Sequence, residues 1–415
     1  MERLKKEKMT RAELWLASLA VLVYFISYFT RHNFSAAMSE MITDFGTTKA
    51  EIGIIGTVSF ITYGVGQIIC GLIGDRVSPR HFITLGLLGS VACNLLVYFL
   101  KAIPAIAVVW GFNGFFQAMI WPPLVRILAE NMAPAAFKRA CLWVSYACSL
   151  STIAIYLILV PASIRFFSWR EAFLIPAFLA LATALLWFFG VRKYRSSATP
   201  KSPSDTPIVE KKSGGDGIGA ALLRAGIPLI FMCVILQGVL RDGIASWMPN
   251  FISETYHIEN AGAVMTTSVL PIFSVVCVFV TGRVHRRIDN EQKTASIFWT
   301  VAVLSAALLM IAYFSSVAVL TIVFMGLLNA AMHGINYLLT SRVSPRFQKY
   351  NRVSAVTGAI NACTYVGSAV STYGFALLSD HLGWSATLWS WLIVAALGLL
   401  CTLLCVKRYT AFLKE

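Results

Sequence analysis

Two arginines stand where the chain around them is apolar. Arg31 follows the run Leu14 to Thr30, and Arg241 follows Ile227 to Leu240, which at 14 residues is too short to cross a bilayer by itself. The helix carrying Arg241 must therefore continue through Trp247 toward Ile252, which buries the arginine in the span. A guanidinium at that depth costs about 2.5 to 3.5 kcal/mol on translocon scales and is retained where it faces a cavity or a partner. Arg31 alone could equally snorkel to the far interface. Taken as a pair across one pathway, the two would repel when empty, and each would offer a planar fork of donors to an oxyanion. Phosphate fits that need best.

Other polar residues share helical faces with the arginines. Tyr24, Tyr28 and Arg31 are spaced i, i+4, i+7, and Gln237 lies one turn before Arg241. Tyr63 with Gln67, Asn113 with Gln117 and Trp121, and Asn361 with Tyr365 repeat the pattern. An interfacial aromatic belt or helix-packing glue would account for any one of them. Together they predict a polar cavity, with His333 and Asn336 as weaker candidates for its wall. Asp242 reads as a solvated vestibule residue. The nine cysteines and six histidines show no metal-ligand spacing, and no nucleophile motif is present, so neither an enzyme nor a metal or cofactor is expected.

What must position these residues is a membrane protein. The chain has 415 residues, 58% hydrophobic and 13% charged, against roughly 25% charged in a soluble domain. Twelve apolar stretches are long enough to span, near 12–39, 52–74, 82–100, 103–130, 139–161, 170–191, 219–252, 261–282, 294–315, 317–341, 353–378 and 384–406. The first is too long for a signal peptide and lacks a cleavage site. The net charge of +15 does not point to nucleic acid, because the basic residues gather in alternate loops. Of 34 Lys and Arg residues, 28 fall on one side, which predicts cytoplasmic termini by the positive-inside rule.

The stretch Arg192 to Gly217 is rich in Ser, Pro, Lys and Gly and reads as a linker between six spans and six. An N-terminal bundle at 1–191, a linker at 192–218 and a C-terminal bundle at 219–415 are expected. The halves repeat. At an offset of 215, Trp169 meets Trp384 and V-R-K-Y at 191–194 meets V-K-R-Y at 406–409, while an offset of 210 sets Arg31 on Arg241. The fold class is therefore all-α, twelve transmembrane helices in two pseudo-symmetric six-helix bundles, with solute bound where the repeats meet.

After the second span comes G-L-I-G-D-R-V-S-P-R, from Gly71 to Arg80. It resembles the G-x-x-x-D-R-x-x-x-R signature of the major facilitator superfamily, whose fold that resemblance implies. There the glycine allows close helix approach and the charges, here Asp75, Arg76 and Arg80, hold one conformation. The matching turn of the second half, T-G-R-V-H-R-R at 281–287, has no Asp. Y-F-T-R-H-N-F at 28–34, the stretch from Tyr63 to Arg80, F-Q-A-M-I-W-P-P at 116–123 and L-R-D-G-I-A-S-W-M-P at 240–249 resemble the organophosphate:phosphate antiporters, which include glycerol-3-phosphate and hexose-phosphate transporters. The resemblance implies that Arg31 and Arg241 bind phosphate and that Tyr24, Tyr28, Tyr63 and Tyr365 line the site. Two positions depart from it: Gln67 stands where a lysine is found, and Cys148 where a histidine is found. The pocket thereby loses a cation and a titratable group.

The expected activity is alternating access for a small organic anion, a phosphorylated sugar or polyol, exchanged for inorganic phosphate by a monomer in the cell membrane. A proton-coupled symporter, with Asp242 or His32 carrying the proton, and a non-transporting sensor of a sugar phosphate are the alternatives. Arg31→Lys or Arg241→Lys is expected to abolish phosphate-linked exchange in proteoliposomes, since an ammonium cannot supply the bidentate fork. Near-normal exchange by either variant would refute the role.

Overall fold

The computed structural model describes residues 9–73, 77–194, 225–350 and 353–414. Every regular element in it is helical. The first six spans are α1 (Arg11–Phe45), α2 (Lys49–Ile73), α3 (Pro79–Phe99), α4 (Ile103–Asn131), α5 (Pro134–Phe166) and α6 (Glu171–Gly190). The next four are α7 (Ile227–Tyr256), α8 (Asn260–Ile288), α9 (Glu291–Phe314) and α10 (Ala318–Ser341). The last helical run, Val353–Phe412, holds 60 residues and at 1.5 Å per residue would be about 90 Å long, three times the hydrocarbon thickness. It is broken at Gly383, whose φ of 78° and ψ of 176° no helix contains, into α11 (353–382) and α12 (384–412). Twelve spans result, as the hydropathy predicts.

The boundaries move where local chemistry decides them. Thr10 and Glu13 form a capping box that starts α1 one residue earlier than its apolar run. Pro122 and Pro123 interrupt α4, which re-forms as Trp121–Asn131. Ile155–Leu159 of α5 is a wide π turn just before Pro161. The seventh span begins at Ile227, and residues 195–224, which hold most of the expected linker, lie outside the described residues.

Both termini lie at one end of the bundle, called here the terminal end. Tyr194 donates to the Ala12 carbonyl (2.6 Å), Glu13 accepts from the Ala133 amide (3.0 Å), and Asn290 donates to Thr410 (3.0 Å). The outer surface carries large apolar side chains such as Leu96, Phe112, Leu185 and Leu404, each half or more exposed, as a lipid-facing wall requires.

The two halves meet most tightly toward the far end, and the contact continues inward to Gly64, where a Cβ would stand 3.2 Å from that of Tyr365. Where α2 crosses α11, a Cβ on Gly53 would stand 2.9 Å from the Thr372 carbonyl, and one on Gly56 2.8 Å from the Thr372 methyl, so both must be glycine. Toward the terminal end the helices part: no described atom lies within 4 Å of a Cβ built on Gly71 or Gly358. Among the described residues the close approach expected at Gly71 is therefore not seen, and the tight contacts at Gly53 and Gly56 lie about four to five turns earlier. Besides the contact of Tyr63 with Tyr365 at the level of Arg31, several polar bonds between the halves lie on the far side of the arginines. Lys49 bridges Glu254 (3.0 Å) and Asp380 (3.3 Å), Asp380 also accepts from the Ala50 amide (2.8 Å), and Asn260 donates to Glu40 (2.8 Å). Lys49→Gln is expected to loosen this seal and raise deuterium uptake at residues 46–52 and 253–260 several-fold. Unchanged uptake would show that helix packing alone keeps the far end shut.

Candidate anion-binding site

Arg31 and Arg241 sit on α1 and α7, and each is fixed by an asparagine from an equivalent neighbouring helix. Asn113 of α4 donates to the Thr30 carbonyl (2.9 Å), and Asn329 of α10 donates to the Arg241 carbonyl (2.7 Å). These bonds anchor the backbone beside each arginine at matching places in the repeat. Asn113 is fully buried and Gln117 nearly so; Gln117 donates to Thr30 Oγ1 (2.8 Å) and Ser90 Oγ (3.0 Å). The expectation that these two residues face a cavity is corrected: they tie α1, α3 and α4 together. With Asn33 and Asn94, joined at 2.8 Å, they form a buried polar core.

The Arg31 guanidinium lies over the ring of Tyr63 (4.0 Å) and within 6.0 Å of that of Tyr365. The two rings meet edge to face at 4.6 Å, joining α2 to α11 across the halves. Tyr28 stacks on His32 (4.9 Å) and reaches the Cys148 thiol of α5. Tyr24 packs on Tyr28 (5.3 Å) and on Trp121 of α4 (4.9 Å). The structure thus brings Tyr24, Tyr28, Tyr63, Trp121, Cys148 and Tyr365 around Arg31. Snorkelling is not what Arg31 does: its head is held under aromatic faces, beside a cleft lined by His32, Ser35, Ser59 and Tyr63.

Arg241 differs. Its Nε and Nη2 donate to both carboxylate oxygens of the adjacent Asp242, at 2.8 and 2.6 Å, and Asp242 also accepts from Ser368 of α11. The reading of Asp242 as a solvated vestibule residue is overturned: its side chain is 17% exposed and that of Arg241 is 13%. Among the described residues no carboxylate lies within 4 Å of Arg31. The expected pair of free cations is therefore one free and one already neutralised.

Gln237, one turn before Arg241, is fully buried with both amide atoms unpartnered among the described residues. An unmade bond of that kind costs about 1 to 3 kcal/mol. Asn336 likewise keeps an unpartnered oxygen. Gln67 makes one long bond to the Ala118 carbonyl (3.5 Å), which leaves its amide largely uncommitted, and Asn361 makes no side-chain hydrogen bond among the described residues.

Of the signature turn, Asp75 and Arg76 lie outside the described residues. Arg80 stacks on Phe188 at 3.8 Å, and its Nε has no partner among the described residues. The second half, whose turn lacks the Asp, builds its charge cluster from residues further on. Arg346 donates to Glu291 and Asp289 (both 2.9 Å), and Tyr409 of α12 donates to the buried Glu291 (3.1 Å).

Comparison with known proteins bears on the family and the fold. The major facilitator superfamily matches residues 20–372. A probable hexose phosphate transport protein of Chlamydia trachomatis is 32% identical over 208 residues, half of this chain and 43% of that one, so the match spans less than half of that relative's length. The membrane sensor protein UhpC of Salmonella typhimurium is 24% identical over 92% of this chain and 89% of its own. Among solved structures, a bacterial homologue of the human lysosomal transporter Spinster, inward-facing and unoccupied, superposes with a TM-score of 0.74 at 12% identity over 98% of both chains, a likeness of fold. With twelve spans and a family match over most of its length, this chain belongs to the major facilitator superfamily.

Proposed function

We propose that the protein is a secondary transporter carrying a small organic anion of the sugar-phosphate or polyol-phosphate class by alternating access, in exchange for inorganic phosphate. The observation that carries this reading is that Arg31 and Arg241, on corresponding helices of the two halves, lie within electrostatic reach of each other and of the same tyrosine, Tyr365, with Arg31 beside a cleft that Tyr63 also lines. The arginines take the oxyanion. Tyr24, Tyr28, Tyr63 and Tyr365 supply hydroxyls and ring faces to it, and Gln67, Trp121, Cys148, Gln237 and Asn361 face the organic part. The relatives named for hexose-phosphate transport and for sensing support the phosphate-bearing class.

The bundles comprise residues 1–191 and 219–415, joined by 192–218, and rock about the site. The basic loops assign the terminal end to the cytoplasm of the cell membrane, so the pathway with its far end sealed opens inward. One chain forms the whole pathway, which is consistent with a working monomer. The bond between Asp242 and Arg241 favours a second reading, proton-coupled uptake, in which the carboxylate exchanges its arginine for a proton.

A counterflow screen of labelled phosphate against sugar phosphates, glycerol 3-phosphate and carboxylates in proteoliposomes tests the reading. Exchange with at least one phosphate ester is expected, and binding without flux would make the protein a sensor. Tyr63→Leu, which removes the ring beneath Arg31, is expected to lower exchange about tenfold or more, whereas Tyr63→Phe keeps the ring and most of the exchange. Equal losses in both variants would shift the role of Tyr63 from its ring to its hydroxyl.

A further inference from the structure

We propose that Asp242 is a built-in counter-anion, which cancels one of the two arginine charges so that the site is electrically complete with a cargo bearing one net negative charge. This rests on the reading of the Arg31 and Arg241 pocket as the anion site. The carboxylate holds the guanidinium of Arg241 by two parallel bonds, at 2.8 and 2.6 Å, the same two-point engagement that a phosphate would make. Ser368 of α11 donates to that carboxylate and holds it there, so the pair is tied to a second helix.

Arg31 has no such partner among the described residues and rests on the ring of Tyr63, with that of Tyr365 beyond. Around Asp242 the other groups in electrostatic reach are Arg31, His32 on α1, Tyr156 within the π turn of α5 and His333 on α10. The fixed charges are two guanidiniums and one carboxylate, which leave a single positive charge.

When the pathway closes around a solute, water leaves and each uncancelled charge becomes costly. A monoanion brings the total to zero. A dianion overshoots by one unless Asp242 takes up a proton, and then dianion and proton together again carry one negative charge. The device therefore sets a charge rule for the cargo in either form. It also gives the proton-coupled reading a stoichiometry of one proton for each dianion.

The test uses anions whose charge does not change near neutral pH, so that ionisation of the cargo itself does not confound it, and both are compared at one pH so that the histidines are common to the two. Binding of sulfate, a dianion, and methyl sulfate, a monoanion, is measured by calorimetry on the purified full chain. The wild type is expected to bind methyl sulfate at least about tenfold more tightly than sulfate. D242N, left with two free arginines, is expected to reverse that order, and Asp242→Glu to keep it. A wild type that prefers sulfate, or that binds neither anion, overturns the proposal, as does an unchanged order in a folded D242N. If D242N does not fold, the wild-type order alone decides. Counterflow of labelled phosphate is read in parallel. The expected binding order without any exchange would overturn the transport reading and leave the charge rule standing.

Discussion

A guanidinium inside a bilayer must find water, a counter-charge or an aromatic face, and this constraint shapes the molecule around Arg31 and Arg241. The protein answers it differently in its two halves. Arg31 is set under Tyr63 and beside Tyr365, and the second of those rings belongs to the opposite half. Arg241 is folded back on Asp242, which α11 holds through Ser368. In both cases α11 contributes to the solution. The helix that seals against α2 is therefore also the helix that senses the charge of the site, which ties the state of the pocket to the contact between the halves.

The scaffold serves this arrangement. Asn113 and Asn329 bond the backbone next to each arginine, so the depth of the cations is set by helix packing and not by their own flexible stems. The buried polar core of Asn33, Asn94 and Gln117 makes the first half stiff around Thr30. A rigid half is what a rocking mechanism needs, because the motion must be spent at the seam between bundles and not within them.

Much of this was legible in the sequence, and the rest was not for identifiable reasons. The spans, both arginines and the tyrosines follow from hydropathy, the repeat and helical spacing, and the structure gathers them. Neighbours i and i+1 on a helix do not face one another, so spacing argued against Arg241 meeting Asp242; the long arginine stem curls back and defeats the rule. Ser368, which completes that pair, is 126 residues away. Asn113 and Gln117 share a face, but which neighbour that face meets is a tertiary fact, and the neighbour is α1 and α3, not the pathway. The charge cluster of the second half was sought in the turn at 281–287, whereas Asp289 and Glu291 supply it just beyond.

The seal at the far end has an electrostatic asymmetry. A single ammonium, Lys49 on α2, holds Glu254 of α7 and Asp380 of α11. When the halves part, the first half keeps one cation, and the second is left with two carboxylates that no longer share a counter-ion. Opening thus exposes an uncompensated acidic pair on the second bundle, opposite a first-bundle face that carries both Lys49 and Glu40. Salt in the surrounding solution screens these bridges, so ionic strength becomes a term in the balance between the closed and open far end.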